Sequence, residues 1–266
     1  MIIGDRFVVL HPPKTGGSFL TEVIINIIGR RGDDRLTQHE KHGGFGEIPE
    51  EHRAKQIVAT VRNPFDYYAS QYKFGYWINR DDDPTNHWDV AKMRCRFPSY
   101  PNLSFEQYID GTLESTYSNN NDRLAEIKNE LGLGPLTVTM LRYSVADPVE
   151  FLEPLLLKRD TRVLKQQVGR IRFLHTESLN RETYQWFLEL GVPAEVAEPV
   201  LSKPRVQPLN TPDGVALPNG AGQPRDLHWL HYFTERSREA VIRREWLFFE
   251  LFPEYAWLLQ EIGRQG

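Results

Sequence analysis

Residues 7–20 read FVVLHPPKTGGSFL: four consecutive apolar residues, a histidine, two prolines and then a Lys-Thr-Gly-Gly-Ser turn. The apolar run 7–10 is short and is followed by prolines, which is typical of a buried strand. Apolar residues then recur at helical spacing through residues 18–30, so a helix is expected after the turn. A strand that enters a helix through a glycine-rich turn predicts the first strand–loop–helix unit of an α/β sheet.

The turn itself has the composition of an anion-binding loop. A glycine-rich turn before a helix presents consecutive backbone N–H groups and the positive end of the helix dipole at one point. Lys14 adds a positive charge, and Thr15 and Ser18 add hydroxyl donors. In the Walker loop of nucleoside triphosphatases the lysine follows the glycines, whereas here it precedes them. The alternative is an ordinary tight turn that uses Gly16 and Gly17 for its geometry.

A second motif follows a second apolar strand. Residues 56–61, QIVATV, predict a buried strand, and Arg62 emerges at its carboxyl end, where open α/β sheets bind ligands. Pro64 favours a helix start because its missing N–H costs nothing in the first turn. Asp66 and Ser70 then share one face of that helix. Arg62 and Ser70 are therefore candidates for a second phosphate, and the alternative is that Arg62 pairs with Asp66.

The order strand, loop, helix, strand, helix predicts an α/β domain built around a parallel sheet. Two later strands are expected within residues 136–143 and 169–179. Residues 180–192 predict an amphipathic helix that is closed by Gly191.

The C-terminal third contains the segment that is richest in proline and glycine. Residues 201–226 are this segment, so a mobile loop or lid is expected over approximately 195–228. Residues 233–252 predict one long final helix that begins near Thr234. With no internal repeat and no long low-complexity linker, the chain is interpreted as a single domain over residues 1–266.

Composition limits the classes of function. The chain has 266 residues, with 32 Lys+Arg against 36 Asp+Glu and a net charge of −4, which argues against a general nucleic-acid binder. No stretch approaches the roughly 20 apolar residues that span a bilayer, and the N-terminus lacks the features of a signal peptide. Cys95 is the single cysteine, so an internal disulfide is excluded. We expect a cytoplasmic protein with no membrane span and no nucleic-acid partner.

Residues 13–19, PKTGGSF, and residues 62–72, RNPFDYYASQY, together resemble the two signature motifs of sulfotransferases that use 3′-phosphoadenosine-5′-phosphosulfate (PAPS). The first resembles the 5′-phosphosulfate loop, P-K-S/T-G-T/G-T/S, in the Gly-Gly variant of the carbohydrate-type branch. The second matches every specified position of the 3′-phosphate motif, R-N-P-x-D-x-x-x-S-x-Y. The likeness covers residues 7–77, whereas residues 79–165 match no part of the family.

The resemblance implies a P-loop-like fold, a three-layer sandwich around a mainly parallel sheet with extra helices and a loop-rich lid. It implies one phosphate site per motif and no metal. Lys14 would stabilise the bridging oxygen as the S–O bond breaks, in a transfer that resembles phosphoryl transfer. The residues that the resemblance assigns to PAPS, and to its desulfated product PAP, are Lys14, Thr15, Gly16, Gly17, Ser18, Phe19, Arg62, Ser70, Lys203 and Arg205.

Four residues in or near these motifs have two interpretations. Phe19 stands where relatives hold an aromatic ring against adenine, but an apolar helix face also predicts a core residue. Lys203 and Arg205 would close over the 3′-phosphate as basic lid residues, although their sequence departs from the family's Arg-Lys-Gly form. His11, just before the loop, either faces the site or is a structural histidine at a strand end.

The acceptor hydroxyl must lose its proton as it attacks, and histidine is the usual base near neutral pH. His39, His42 and His52 lie between the two motifs, where the resemblance implies the family's base. His42, followed by Gly43 and Gly44, fits that position best, and His39 is second. The alternative is that all three are surface histidines of a polar loop.

The resemblance implies a PAPS-dependent sulfotransferase that moves a sulfuryl group to a hydroxyl, or to an amine, of a carbohydrate or small-molecule acceptor. One alternative is a P-loop kinase of a small molecule, against which the lysine position and the Arg-Asn-Pro motif argue. Another is a nucleotide-binding protein without catalysis, which would not need His39 or His42. The identity of the acceptor and the oligomeric state are left open by the sequence.

Overall fold

The computed structural model describes residues 1–30, 34–75, 77–78, 90–114, 122–204 and 229–262. The chain divides into two compact units, and each is assembled from three segments of sequence. The first unit comprises residues 1–63, 140–147 and 162–208. The second unit comprises residues 64–139, 148–161 and 209–266.

A mixed sheet of five strands lies in the first unit, so the chain is an α/β protein. In chain order the strands are β1 (Ile2–Ile3), β2 (Phe7–Val9), β3 (Thr37–Gln38), β4 (Gln56–Val61) and β5 (Arg172–His175). Their order in the sheet is β3-β1-β2-β4-β5. The pairs β2–β4 and β4–β5 are parallel, whereas β1 runs antiparallel to both of its neighbours. The predicted parallel pairing is therefore confirmed for β2, β4 and β5, and the sheet as a whole is mixed.

Helices make up most of the rest of the described residues. They are α1 (Gly17–Val23), α2 (Pro64–Phe74), α3 (Val90–Arg96), α4 (Phe105–Glu114), α5 (Asp122–Leu131), α6 (Pro135–Arg142), α7 (Pro148–Lys158), α8 (Arg162–Val168), α9 (Leu179–Glu189), α10 (Ala194–Ala197), α11 (Pro199–Ser202), α12 (Glu235–Arg244), α13 (Trp246–Leu251) and α14 (Trp257–Ile262). A π-helical segment, Ile24–Gly29, continues α1. Among the helices of the described residues, none has both the length and the apolar character needed to cross a bilayer.

Apolar side chains cover the central strands of the sheet on both faces. Phe7 and Val9 belong to one apolar cluster, which also contains residues of α1, α9, α10 and α11. Val8 and Leu10 belong to a second cluster, with Ile48 and other residues. Successive side chains of a strand point to opposite faces, so β2 is buried on both sides. This explains why its sequence is a continuous apolar run rather than an alternating one.

In the second unit, aromatic rings supply much of the described core. Trp77 stacks on Tyr108 with ring centroids 4.9 Å apart, and Phe65 stacks on Trp229 at 4.8 Å. Both Trp77 and Tyr108 are almost fully buried. Most of the described helices of residues 90–158 belong to this unit, and their sequence has no counterpart in the family that the two motifs resemble.

Two predicted elements are wrong, and Glu245 lies at both of them. Residues 136–143, predicted as a strand, lie almost entirely in helix α6. The predicted final helix begins after Thr234, as expected, but it breaks at Glu245 into α12 and α13. The fully buried carboxylate of Glu245 accepts hydrogen bonds from the backbone N–H groups of Leu136 (3.0 Å) and Thr137 (2.8 Å). It therefore caps the first turn of α6, whose unpaired N–H groups need acceptors.

The predicted lid is described only in part. Its first residues lie in the short helices α10 and α11, which end at Ser202. Residues 205–228, and Arg205 with them, lie outside the described residues.

Candidate functional site

A tight loop at the carboxyl end of β2 leads into α1. The N–H of Leu10 still pairs with the carbonyl of Val58 in β4 at 2.8 Å, and the chain turns after it. Lys14 has φ +65°, and Gly16 has φ +98°. A non-glycine residue in the left-handed region costs roughly 1–2 kcal/mol, and such residues cluster at functional sites. The strained lysine therefore marks this loop as a candidate site.

Both glycines of the loop are required by close approaches. A Cβ on Gly16 would lie 2.7 Å from Cδ2 of Leu179, in a backbone conformation that already disfavours L side chains. A Cβ on Gly17 would lie 2.2 Å from Cδ2 of His11. The Gly-Gly pair thus lets the loop pack directly against the start of α9 and the ring of His11.

Two threonines fix the loop to the ends of the parallel strands. The hydroxyl of Thr15 donates to the carbonyl of Pro12 at 2.7 Å and lies 2.7 Å from the hydroxyl of Thr60 in β4. The hydroxyl of Thr176, directly after β5, lies 2.5 Å from the carbonyl of Thr15 and 2.9 Å from that of Val61. Because the Thr15 hydroxyl is buried and used internally, what Thr15 can offer a ligand is its backbone N–H. By contrast, Ser18 is exposed in the first turn of α1.

The two sequence motifs meet at this loop. Arg62, directly after β4, donates from Nη1 to the carbonyl of Lys14 at 3.0 Å, across 48 residues of sequence. Parallel strands end at the same edge of a sheet, so the residues that follow β2 and β4 are neighbours. Next along the chain, the N–H of Asn63 donates to the carboxylate of Glu177 at 2.8 Å.

Positive charge is concentrated around Lys14. Burial, Arg62 and Lys41 together lower the pKa of Lys14 from 10.5 to about 8. Lys14 and Arg62 are half-buried, and Lys41 is exposed. Each of these positive charges raises the free-energy cost of keeping its neighbours charged, and a ligand with several negative charges would lower that cost.

His42 has the geometry of a neutral base. Its Nδ1 lies 3.0 Å from the carbonyl of His11, which can only accept, so Nδ1 carries the proton and Nε2 keeps its lone pair. Burial lowers the pKa of His42 below its ordinary value of 6.5; the hydrogen bond to His11 opposes this shift, and the charges of Lys41, the N-terminal amine and Arg142 reinforce it. The hydroxyl of Tyr143 donates to the carbonyl of His42 at 3.0 Å and holds the backbone.

The other two histidines between the motifs are differently placed. His39 is exposed, and its backbone N–H extends the pairing of β3 by donating to the carbonyl of Met1 at 3.0 Å. His52 ends the 3₁₀ turn Glu50–His52, and its Nδ1 has no hydrogen-bond partner among the described residues. Of the three, His42 has the ring contact that fixes a tautomer, and this favours it as the base.

Of the remaining predicted residues, Phe19, Lys203 and Ser70 are described and Arg205 is not. Phe19 is 5% exposed and belongs to the apolar cluster against β2, which favours its interpretation as a core residue. Lys203 pairs through Nζ with the carboxylate of Glu22 in α1 at 2.6 Å. Ser70 lies half-buried in α2, in the second unit. The assignments of Lys203, Ser70 and Arg205 to a ligand stay predictions.

Three residues at the site were not singled out by the sequence. Thr60 and Thr176 fix the loop, and Tyr143 holds His42. Thr176 lies inside the segment 169–179 that was predicted as a strand, and in the structure it directly follows β5, at the edge where the ligand loops of parallel strands lie. Tyr143 directly follows α6, where a strand was predicted, and only the fold brings it to His42. Within the described ranges, His, Cys, Asp and Glu side chains form no group of three that could hold a metal ion.

Comparison with family models, with curated proteins and with solved structures found no match to this chain.

Proposed function

We propose that this protein is a PAPS-dependent sulfotransferase. The observation that carries the proposal is the hydrogen bond from Arg62 to the carbonyl of Lys14, at 3.0 Å. It joins the two motifs that resemble the 5′-phosphosulfate loop and the 3′-phosphate motif. A donor with anionic groups on both the 3′ and the 5′ position of its ribose needs two adjacent sites of this kind. The proposal includes a P-loop-like arrangement, in which the loop after β2 holds the transferable group.

In this proposal the donor's phosphosulfate lies on the loop, against the backbone N–H groups around Gly16 and Gly17. The ammonium of Lys14 lies beside the oxygen that bridges phosphorus and sulfur. Arg62 accompanies the 3′-phosphate. The cation cluster around Lys14 supports a polyanionic ligand, because its mutual repulsion is relieved when negative charge binds.

The reaction is an in-line transfer of the sulfuryl group. The acceptor oxygen forms a bond to sulfur while the bond from sulfur to the bridging oxygen breaks, and PAP leaves with the electron pair of that bond. Lys14 stabilises the charge that develops on the bridging oxygen. His42, neutral and with Nδ1 bound to the carbonyl of His11, takes the acceptor proton at Nε2. The acceptor is a hydroxyl or an amine of a carbohydrate or small molecule.

The ligand preference separates this function from a small-molecule kinase. Thermal and urea unfolding are measured with PAP, with ADP and with ATP plus magnesium. PAP at a hundredfold excess over its Kd is expected to stabilise the protein by about 2.7 kcal/mol. Stronger stabilisation by ATP plus magnesium than by PAP would sink the proposal.

Two arginine variants test the anion site directly. Arg62→Ala is expected to lose most of the stabilisation by PAP. Arg172→Ala is the matched control, because Arg172 is an arginine of the same unit whose guanidinium pairs with Glu189 on the surface. It should bind PAP like the wild type. Equal losses in both variants would show that the effect is not specific to the loop.

Catalysis is tested separately from binding. The protein is incubated with PAPS and pools of hydroxyl- and amine-bearing metabolites, and sulfated products are detected by mass spectrometry. His42→Ala should still bind PAP but form no sulfated product. If the wild type binds PAP and forms no product from any pool, a nucleotide-binding protein without catalysis is the better description.

A further inference from the structure

His11 is a buried histidine that the proposed reaction does not use as a base. It is 6% exposed, and it lies just after β2 and just before the loop. Its ring packs flat against the first residue of α1: a Cβ on Gly17 would lie 2.2 Å from Cδ2 and 2.6 Å from both Cγ and Nε2. A substituent as small as a methyl group is therefore excluded between His11 and the helix.

His11 contacts His42 in two ways. The carbonyl of His11 accepts the hydrogen bond from Nδ1 of His42 at 3.0 Å. The two imidazole rings meet edge to face, with centroids 5.0 Å apart and planes inclined by 70°. The ring of His11 thus contacts the helix start through Gly17 and the proposed base through His42.

We propose that His11 is a positioning residue that sets the tautomer and the ring plane of His42. Its carbonyl selects the Nδ1–H form, and its ring, wedged against Gly17, prevents the imidazole of His42 from tilting or turning over. The catalytic consequence rests on the proposed function, in which Nε2 of His42 takes the acceptor proton. The positioning itself is a property of the two histidines and is measurable without substrate.

This role suits a base that changes charge. When His42 gains a proton at Nε2, its Nδ1–H still donates to the same carbonyl, so the hydrogen bond is kept and strengthened by charge. A second positive charge at the ring edge would oppose that step. His11 avoids it, because burial, and then the charges of His42, Lys41 and the N-terminal amine, lower its pKa to about 3.

The charges that shift the pKa of His42 are cationic: Lys41, the N-terminal amine and Arg142 all lower it. Arg142 is itself paired with Glu47 at 3.0 Å, and the carboxylates of Glu40 and Glu47 act on the N-terminal amine. The ring of His11 meets the ring of His42 edge to face and so bears on its plane.

The test follows the ring of His42 by ¹⁵N NMR in the whole protein. The wild type should show the Nδ1–H tautomer and a pKa below 6.5. The backbone carbonyl of residue 11 is kept in His11→Asn and His11→Ala, but without the imidazole the ring of His42 is free to turn away from it, so His42 should show a mixture of tautomers and a pKa that rises toward 6.5. Val192→Ala, a buried truncation elsewhere in the first unit, should leave both signals unchanged. An unchanged tautomer and pKa in both His11 variants would overturn the proposal.

A second variant reaches the same contact from the other side. Gly17→Ala forces a methyl group into the ring of His11 and should shift the His42 signals in the wild-type background. In the His11→Ala background the same substitution should have little further effect, because the obstructing ring is gone. If Gly17→Ala shifts the His42 signals equally in both backgrounds, the ring of His11 does not transmit the effect, and the proposal is contradicted. PAP binding is measured on the wild-type sample: failure to bind there refutes the proposed function, whereas the NMR signals of His42 decide the role of His11.

Discussion

Lys14 is a titrating ligand group under the proposed function. Its pKa of about 8 means that the unliganded protein loses this charge just above neutral pH. PAP affinity, measured by calorimetry, should be constant from pH 7 to 8. It should then weaken by up to about tenfold per pH unit, since binding requires a proton that the free lysine no longer holds.

Lys14→Arg provides the matched variant for this effect. A guanidinium stays charged throughout this pH range, so the affinity of Lys14→Arg should stay flat up to pH 10. Lys14→Ala should bind weakly at every pH. If the wild type binds PAP equally well at pH 7 and pH 10, Lys14 does not contact the ligand as an ammonium.

His11 should make folding sensitive to acid. Its pKa is about 3 in the folded protein and 6.5 when exposed, so the unfolded chain binds an extra proton between these values. The free energy of unfolding should therefore fall by about 5 kcal/mol from this residue alone as the pH drops from 6.5 to 3. His11→Asn should remove this part of the acid dependence, as measured by urea unfolding at each pH. The exposed His39 is the control, and His39→Asn should keep the wild-type acid dependence.

At the scale of elements, the junction of β2 and α1 contains two left-handed residues, Lys14 and Gly16. Gly16→Ala should destabilise the protein by about 2 kcal/mol or more, because it adds the strain of φ +98° to a 2.7 Å contact with Leu179. It should also abolish PAP stabilisation, since the loop N–H groups would be turned away. Gly191→Ala is the matched control: φ is +79°, but nothing lies within 4 Å of the added Cβ. Gly191→Ala should lower the free energy of unfolding by about 1 kcal/mol and bind PAP normally. Similar losses of stability in the two variants would show that the contact with Leu179 adds nothing to the strain of the left-handed backbone.

Elements whose signals are local were predictable from the sequence. β2 and β4 are largely apolar runs buried on both faces, and α1, α2 and α9 have helical periodicity with clear starts. β1 and β3 have two residues each, too few for any periodicity; β1 pairs with the nearby β2, and β3 pairs with β1 across more than 30 residues of sequence.

The error at α6 has a non-local cause. The threonines and valine of residues 136–143 favour a strand by propensity. Pro135 at the helix start favours a helix, and the carboxylate that completes the cap comes from Glu245, more than a hundred residues away. The backbone of the same residue leaves the helical conformation, at φ −98° and ψ 21°, where α12 ends. The contact that caps α6 is long-range, and no window of sequence contains it.

At the scale of the whole molecule, some residues of the site are predictable from the sequence, and others reach the site only through the fold. Lys14, Arg62 and His42 were predictable, since each lies in or beside a motif, and the structure brings Lys14 and Arg62 together. Thr176 and Tyr143 come from segments more than 100 residues from the groups they hold, so only the fold brings them to the site. The second unit contains residues 64–72 of the second motif, including Ser70.

The stability of the molecule should increase in mild alkali, against the usual trend. Each unit has a lysine whose pKa is lowered to about 8: Lys14 in the first, by burial and the charges of Arg62 and Lys41, and Lys128 in the second, by burial and the charge of Arg244. The unfolded chain holds a proton on each until about pH 10.5, so it binds more protons than the folded protein above pH 8. The free energy of unfolding therefore rises with pH in that interval.

Lys128 gives the cleaner measurement, because its side chain is 1% exposed and lies outside the proposed site. Its contribution should reach about 3 kcal/mol between pH 8 and 10.5. Above pH 10, Tyr67 opposes the rise in the free energy of unfolding. Burial raises its pKa to about 12 in the folded protein, so the same tyrosine loses its proton first in the unfolded chain. Urea unfolding of Lys128→Met should show a smaller rise in the free energy of unfolding than the wild type, and the difference should equal the contribution of Lys128. Lys92→Met, at an exposed lysine of the same unit, should show the wild-type rise. A wild-type stability that falls steadily from pH 8 to 10 would show that the Lys128 ammonium is not buried in solution.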